Sequence, residues 1–378
     1  MAPLFPAILI GGPAHSGKST LTYRLSDTLR RRSVPHYALR ASPDGEGDWS
    51  LTAPAALVAE LRPRARGDWS PAFAAQISAA VGQRHLPLLV DAGGLVTPET
   101  RQIAAHCTHA VLLAAAPATL EAWRELVHAS GLVLLADLQS TLDGEQRVVA
   151  PGPPLRGVIS GLSRERDSAG PGFTALVDLL AQICAYTDAE LYRTHLSLTD
   201  VELVLHVEKR IYPLPVRDEQ TWQPADLPAL LASLPAGEPL GIYGRGPAWL
   251  YASLAAFNAP ARCVVFDPRY GWLELPDIDF GATPDARLSW SIRDDRGACR
   301  IEIGTAGAYL DPYTTTSYRV LPVDHERGVI LSGKLPLWLY AALARAYREN
   351  AWLACYQPQL DAAVVVASRG EPAIGQLV

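Results

Sequence analysis

Lysine is nearly missing from this chain. Of 33 basic residues only Lys18, Lys209 and Lys334 are lysines, and arginine fills almost every other basic position. A lysine kept against that bias is a candidate for a role that needs an ammonium group. A basic surplus is missing too. The formal charge is −6 and charged residues make up 19 % of the chain, so no surface for duplex nucleic acid is expected and any anion recognition has to be local. The five cysteines stand far apart without paired spacing. That excludes a disulfide framework and a zinc site and fits buried thiols in a reducing cytoplasm. No apolar run approaches the roughly 20 residues of a membrane span, so no membrane partner is expected. The opening "MAPLFPAILIGG" has no basic flank and runs into a glycine loop, which predicts a first strand rather than a signal peptide. A length of 378 residues exceeds what one compact core usually holds, and two or three domains are expected.

What is present begins at that loop. Gly12-Pro13-Ala14-His15-Ser16-Gly17-Lys18-Ser19 fits G-x-x-x-x-G-K-[ST] without a gap, between an apolar strand and a helix that includes Thr20. Glycines let backbone N–H groups turn inward around an anion, and the following helix adds its positive end. Residues 12–20 are therefore expected to bind ATP. Lys18 is expected to reach the β- and γ-phosphates, and Ser19 to hold Mg²⁺. Asp91 ends the apolar run Leu88-Leu89-Val90, where an acidic residue can bind that metal directly or through water. Strand-length apolar runs alternate with helical spacing up to about residue 190, which predicts a parallel sheet covered on both faces.

Two further loops belong to this half. "ASPDGEGDWS", residues 41–50, sets Asp44, Glu46 and Asp48 among glycines after the second strand. A carboxylate facing the γ-phosphate can orient or deprotonate a phosphoryl acceptor, so these three acids are candidate catalytic groups beside Lys18. The other reading is a solvated acidic turn. "GLSRER", residues 161–166, is a candidate lining for the base or phosphates, against the alternative of a surface charge cluster. No sensor segment or trans-acting arginine motif of a hexameric ATPase is evident.

The second half repeats itself. "GRGPAWLYASLA", Gly244 to Ala255, is answered by "GKLPLWLYAALA", Gly333 to Ala344, with eight of twelve positions identical and Arg245 matched by Lys334. Phe266-Asp267-Pro268-Arg269 is answered, after a one-residue insertion, by Tyr356-Gln357-Pro358-Gln359. Two copies with so long a period predict a pair of α+β modules packed about a pseudo-twofold axis, not a solenoid. In each copy a strand ends and glycine turns the chain. Pro247 is expected at the first helical position, where its missing N–H costs nothing. Helix start and basic residue together make an anion site. Arg245, which can grip phosphate with two donors, is expected to contribute more than Lys334.

"GRGPAWLYASLAAF…VVFDPRYG" resembles the small CRISPR-associated ring-nuclease family found with type III systems, whose members bind and linearise cyclic tetra-adenylate and act as dimers. The match centres on Tyr243–Leu250 and Asp267–Arg269, spans roughly 197–280, and continues in degenerate form over 298–378. Some members are fused to a P-loop NTPase or kinase-like domain, which "GGPAHSGKS" with "PDGEGDW" resembles. The resemblance implies a cyclic oligoadenylate held by Gly244, Arg245, Gly246, Pro247 and Arg269, with Ser332, Gly333 and Lys334 opposite. It also implies Asp267 as a catalytic carboxylate in Mn²⁺-dependent cleavage. The family uses histidines near that turn, whereas no histidine lies between His206 and His325, and Gln357 replaces the aspartate in the second copy.

The sequence therefore predicts an α/β chain in three parts. Residues 1–192 form a P-loop kinase-like NTPase domain, 193–297 a ring-nuclease-like module and 298–378 its degenerate copy. The expected function is an ATP-binding cytoplasmic CRISPR-ancillary protein, a homo-oligomer such as a dimer. Its doubled modules bind a cyclic oligoadenylate that regulates, or is regulated by, the NTPase. The alternatives are an active ring nuclease and a small-molecule kinase whose C-terminal half only dimerises.

Overall fold

The computed structural model describes residues 5–42, 71–162, 170–209, 222–295, 297–305, 310, 312 and 316–378. The chain divides into two compact units: residues 1–197 with 268–271, and residues 198–267 with 272–378.

The first unit runs β1 (Ala7–Gly11), α1 (Lys18–Arg31), β2 (Tyr37–Ala41), α2 (Pro71–Gly82), β3 (Leu88–Ala92), α3 (Pro98–Ala104), β4 (His109–Ala114), α4 (Glu121–Ala129), β5 (Val133–Thr141), β6 (Arg147–Ala150), β7 (Leu155–Ser160), α5 (Pro171–Ile183) and α6 (Asp188–Leu196). Among the described residues the strands form one sheet of order β2-β3-β1-β4-β5-β7-β6. All its neighbours are parallel except the β6–β7 pair. Strand alternation divides the core in two. Ala7 and Leu9 face a cluster with Ile77, Val81, Ile103, Trp123 and Leu126 from α2, α3 and α4. Ile8 and Ile10 face Leu21, Leu25, Leu29, Phe173, Leu176 and Leu180 from α1 and α5. Leu21, Leu25 and Leu29 recur every four residues, so one helical stripe is apolar, and each buried leucine contributes roughly 1.5–3 kcal/mol. Both faces are covered, as the near-continuous apolar strands require.

The second unit contains β8 (Leu203–His206), α7 (Leu227–Ala232), β9 (Leu240–Tyr243), α8 (Ala248–Asn258), β10 (Cys263–Asp267), β11 (Gly271–Glu274), β12 (Asp277–Phe280), β13 (Leu288–Asp295), β14 (Ala298–Thr305), β15 (Ser317–Val320), β16 (Val329–Ser332), α9 (Leu337–Tyr347), β17 (Trp352–Gln357) and β18 (Ala362–Ser368). One sheet has the order β11-β10-β9-β8, another β13-β14-β16-β17-β18, and β12 pairs β15 separately. The two larger sheets repeat a pattern. In each, a central strand (β9 or β16) lies parallel to an earlier strand (β8 or β14) and to the strand after its helix. The registers pair His206 with Tyr243 and Glu302 with Ser332. They also pair Val265 with Ile242 and Cys355 with Leu331, so Asp267 and Gln357, each two residues further on, are counterparts.

Helices α8 and α9 pack on each other. Trp249 to Ala256 and Trp338 to Ala344 are buried without a break. A helix apolar all round is a buried helix, and the alanines let two backbones approach. The repeat is approximate, because α8 also lies against β17 and β18, where the Ser253 hydroxyl donates to the Val366 carbonyl at 3.1 Å. Arg345, near the end of α9, donates to the carbonyls of Ala261 (2.8 Å) and Pro260 (3.0 Å), just past the end of α8. The carboxyl ends of the two helices therefore lie together, and the glycine loops that precede them lie toward the opposite end.

Candidate functional site

Two sites emerge, one in each unit. In the first, β1 ends at Gly11 and the chain turns through residues 12–17 into α1. Gly12 has φ 151°, and a Cβ there would stand 2.0 Å from the Leu113 carbonyl oxygen of the neighbouring strand, so no side chain fits. Gly17 caps α1 with φ 90°, and His15 takes a left-handed φ of 62°. Leu162, just past β7, packs at 3.1 Å from where a Gly17 Cβ would be. The Arg24 guanidinium donates to the Gly161 carbonyl at 3.2 Å. The start of the residue 161–166 loop is thus beside the phosphate loop. Ser163 to Arg166 lie outside the described residues, as do Asp44, Glu46 and Asp48.

The chemistry of the loop suits an anion. Lys18 is buried, and its Nζ donates to the Pro13 carbonyl at 2.7 Å, curling over the loop. Ser16 Oγ is buried with no hydrogen-bond partner among the described residues, and such a group is costly unless something satisfies it. Ser19 and Thr20 open α1 and are partly exposed. Asp91 is buried on β3, level with Ile10 of β1. Three residues beyond it a Cβ on Gly94 would fall 2.7 Å from the Ala14 backbone nitrogen, so the loop after β3 lies directly on the phosphate loop. Sequence reasoning missed Gly94, although the glycine pair after Asp91 was a visible signal; Leu162 falls in the 161–166 stretch it did mark. Among the described residues no group of three or more His, Cys, Asp or Glu could hold a metal. Mg²⁺ arriving with a nucleotide needs none, because phosphate oxygens and water fill most of its shell. Ser19 and Asp91 fit that requirement chemically.

In the second unit each central strand ends in a left-handed glycine: Gly244 (φ 102°) and Gly333 (φ 128°). The Tyr251 hydroxyl donates to the Gly244 carbonyl, and the Tyr340 hydroxyl donates to the Gly333 carbonyl at 2.6 Å. The repeated tyrosine is therefore a clamp on the repeated loop, seven residues upstream. Burial pushes both phenols above their ordinary range, and the Glu208 and Asp267 carboxylates add to the shift at Tyr251. Pro247 does not take the first helical position. It is the N-cap, with φ −68° and ψ 152°, and Pro336 matches it with −60° and 147°. The extended ψ turns each proline carbonyl to accept the helix's first bonds. Leu250 N and Tyr251 N donate to Pro247, and Leu339 N and Tyr340 N to Pro336.

The loops differ in what meets them. Arg245 is exposed, and its backbone N–H donates to Glu208 Oε1 at 2.7 Å. His206 lies edge-on to Tyr243 at 4.9 Å. In the second copy Gly333 and Lys334 are exposed and Ser332 is buried. Arg300 donates to Ser332 Oγ at 3.3 Å and stacks over the Tyr356 ring at 4.0 Å. Arg300 and Glu208 lie outside the repeated block, so the repeat gave no signal for them. Asp267 ends β10, partly exposed. Arg269 follows in the turn between β10 and β11, its guanidinium 5.1 Å from the Tyr270 ring centre.

This geometry defines a P-loop NTPase-like α/β unit followed by strand-rich modules. Residues 305–378, about a fifth of the chain, match the family described as CRISPR-associated protein (Cas_csx3). A solved structure similar to this chain is the septum site-determining protein MinD from Pyrococcus horikoshii, complexed with Mg-ADP. It is 15% identical, with a TM-score of 0.35, over 48% of this chain and 100% of that one. No helix among the described residues is long and apolar enough to cross a membrane.

Proposed function

We propose that this chain is a cytoplasmic CRISPR-ancillary P-loop NTPase whose second unit binds a cyclic oligoadenylate, cyclic tetra-adenylate in the first instance, and couples it to nucleotide turnover. The observation that carries the reading is the doubled loop. A left-handed glycine, a following basic residue, a proline cap and a clamping tyrosine occur twice in one unit. A cyclic anion with a charge at each linkage matches a paired arrangement of that kind, and the family match over 305–378 supports the CRISPR setting.

In the first unit, ATP fits the cradle of residues 12–20. Lys18 would leave the Pro13 carbonyl for the β- and γ-phosphates, and the Ser16 hydroxyl would gain a partner. Ser19 and Asp91 would hold Mg²⁺, which when bound neutralises charge on the phosphates. Asp44, Glu46 and Asp48 are the candidates to position an acceptor or water. Cleavage of the messenger is expected to be slow or absent, because no histidine lies between His206 and His325 and Asp267 is answered by Gln357. A homodimer is the expected assembly. The test is ATP turnover measured with and without cyclic tetra-adenylate. A change in rate that disappears in an Arg245→Ala, Lys334→Ala double variant supports the coupling. An ATPase indifferent to the messenger contradicts it.

A further inference from the structure

The two loops are not equivalent, and Glu208 is what differs at the backbone donor of the first. In the first copy the turn after β8 lays Glu208 along the glycine loop. Its Cγ is 3.2 Å from where a Gly244 Cβ would be, and its Oε1 accepts the Arg245 N–H at 2.7 Å. The turn is held from two sides. Val207 N donates to the Tyr243 carbonyl at 2.8 Å, and the Trp222 indole donates to the Val207 carbonyl at 2.5 Å. A carboxylate thus sits where an anion entering this loop would meet its backbone donor. The registers give its counterpart: His206 pairs Tyr243 and Glu302 pairs Ser332, so the residue two beyond Glu302, Gly304, stands in the place of Glu208. Glycine has no carboxylate. Among the described residues no side chain accepts a hydrogen bond from the Lys334 N–H, and the Arg300 guanidinium, which also pairs with Asp295 at 3.4 Å, reaches the adjoining Ser332 hydroxyl.

We infer that Glu208 is a built-in anion that a phosphate of the ligand has to displace, so that the second loop, Ser332 to Lys334, is the open subsite and the first loop is a gated one. The inference rests on the cyclic-oligoadenylate reading of these loops. Glu208 is exposed, so a ligand can reach and displace it without unfolding the turn. A like charge beside an incoming phosphate opposes it, and the carboxylate also competes for the same N–H. The gate reverses one expectation from residue type alone. Arg245 is the better phosphate grip as a side chain, yet its loop is the occupied one. Lys334 should therefore contribute more to binding in the native chain.

The experiment is equilibrium binding of labelled cyclic tetra-adenylate to the full chain, to Glu208→Gln, and to each of these carrying Arg245→Ala or Lys334→Ala. Gln keeps the shape and an acceptor oxygen but removes the charge, and a thermal melt checks that folding is unchanged. Glu208→Gln should tighten binding about three- to tenfold. Lys334→Ala should weaken binding more than Arg245→Ala in the native background, with the order reversed in the Glu208→Gln background. Unchanged or weaker binding by Glu208→Gln overturns the gate while leaving the reading of the loops intact. The same order of the two alanine variants in both backgrounds does so as well. No binding by any of these proteins overturns the reading itself, and the gate with it.

Discussion

The Tyr340 hydroxyl donates to the carbonyl of Gly333 at 2.6 Å, which ties the first turn of α9 back to the loop at its start. Tyr251 does the same for Gly244 in the first copy. Removing the hydroxyl leaves a partly buried carbonyl without its partner. Tyr340→Phe should cost about 1 kcal/mol of stability and should loosen the loop. Thermal melts and messenger affinity should both fall, while ATP affinity stays the same. An unaltered melt and affinity would remove the clamp from this account.

Gly333 and Gly244 should differ in tolerance. Both need positive φ, which side chains adopt only with strain of roughly 1–3 kcal/mol. A Cβ on Gly333 would also stand 1.8 Å from the Ile303 carbonyl oxygen, a backbone atom that cannot step aside, whereas Gly244 meets the flexible Cγ of Glu208 at 3.2 Å. Gly333→Ala should therefore lower the melting temperature more than Gly244→Ala. Equal losses would mean that φ alone sets the cost.

Nucleotide binding is tested at Lys18. Lys18→Ala removes a charge-assisted contact worth roughly 1.5–3 kcal/mol, about one to two decades in ATP affinity. Unchanged affinity in a folded variant would count against the phosphate-loop assignment. Replacing Asp44, Glu46 and Asp48 together should spare ATP binding and abolish turnover; surviving turnover would leave that segment a solvated turn.

Acidification should weaken the first unit. Burial pulls His195 down to about 4 from its ordinary 6.5, with its Nε2 paired to the His85 carbonyl at 2.6 Å, and burial lowers His36 as well. The unfolded histidine takes up a proton near its ordinary value and the folded one resists. The contribution is therefore intact above about pH 6.5 and is lost as pH falls toward 4. The slope per such histidine is at most roughly 1.4 kcal/mol per pH unit. His195→Gln should flatten the acid limb of a stability-versus-pH curve. An identical limb in the variant would place the acid sensitivity elsewhere.

Much of the first unit was legible in the sequence because its signals are local. Gly12 and Gly17 mark a turn that only glycine can make, and Ile8 and Ile10 against Leu21, Leu25 and Leu29 show two periods meeting at one loop. Asp91 was readable for the same reason, at the end of a buried strand. The second unit was legible through its repeat, which marked Gly244, Gly333 and both helices. Strands with weak patterns were not legible. β13 reads Leu-Ser-Trp-Ser-Ile-Arg-Asp-Asp and is mostly exposed, and β6 is a four-residue edge. Only the short Leu-Ser-Trp-Ser-Ile alternation of β13 competes with a loop reading. Tyr251 and Tyr340 carried no signal beyond their place in the repeat, and their clamp depends on the loop folding back over one helical turn and more. Glu208 and Arg300 gained their positions only from strand register, which a single sequence does not display.

The central claim is that the paired loops of the second unit bind a cyclic oligoadenylate. The most direct measurement is equilibrium binding of labelled cyclic tetra-adenylate to the full chain across a salt series, with and without ATP, followed by separation of any products. The account predicts saturable binding that weakens as salt rises, that is lost in the Arg245→Ala, Lys334→Ala double variant, and that leaves the ring intact or nearly so. Absence of binding at low salt would contradict it. Fast metal-dependent linearisation abolished by Asp267→Ala would contradict the binding-without-cleavage part and make this chain an active ring nuclease.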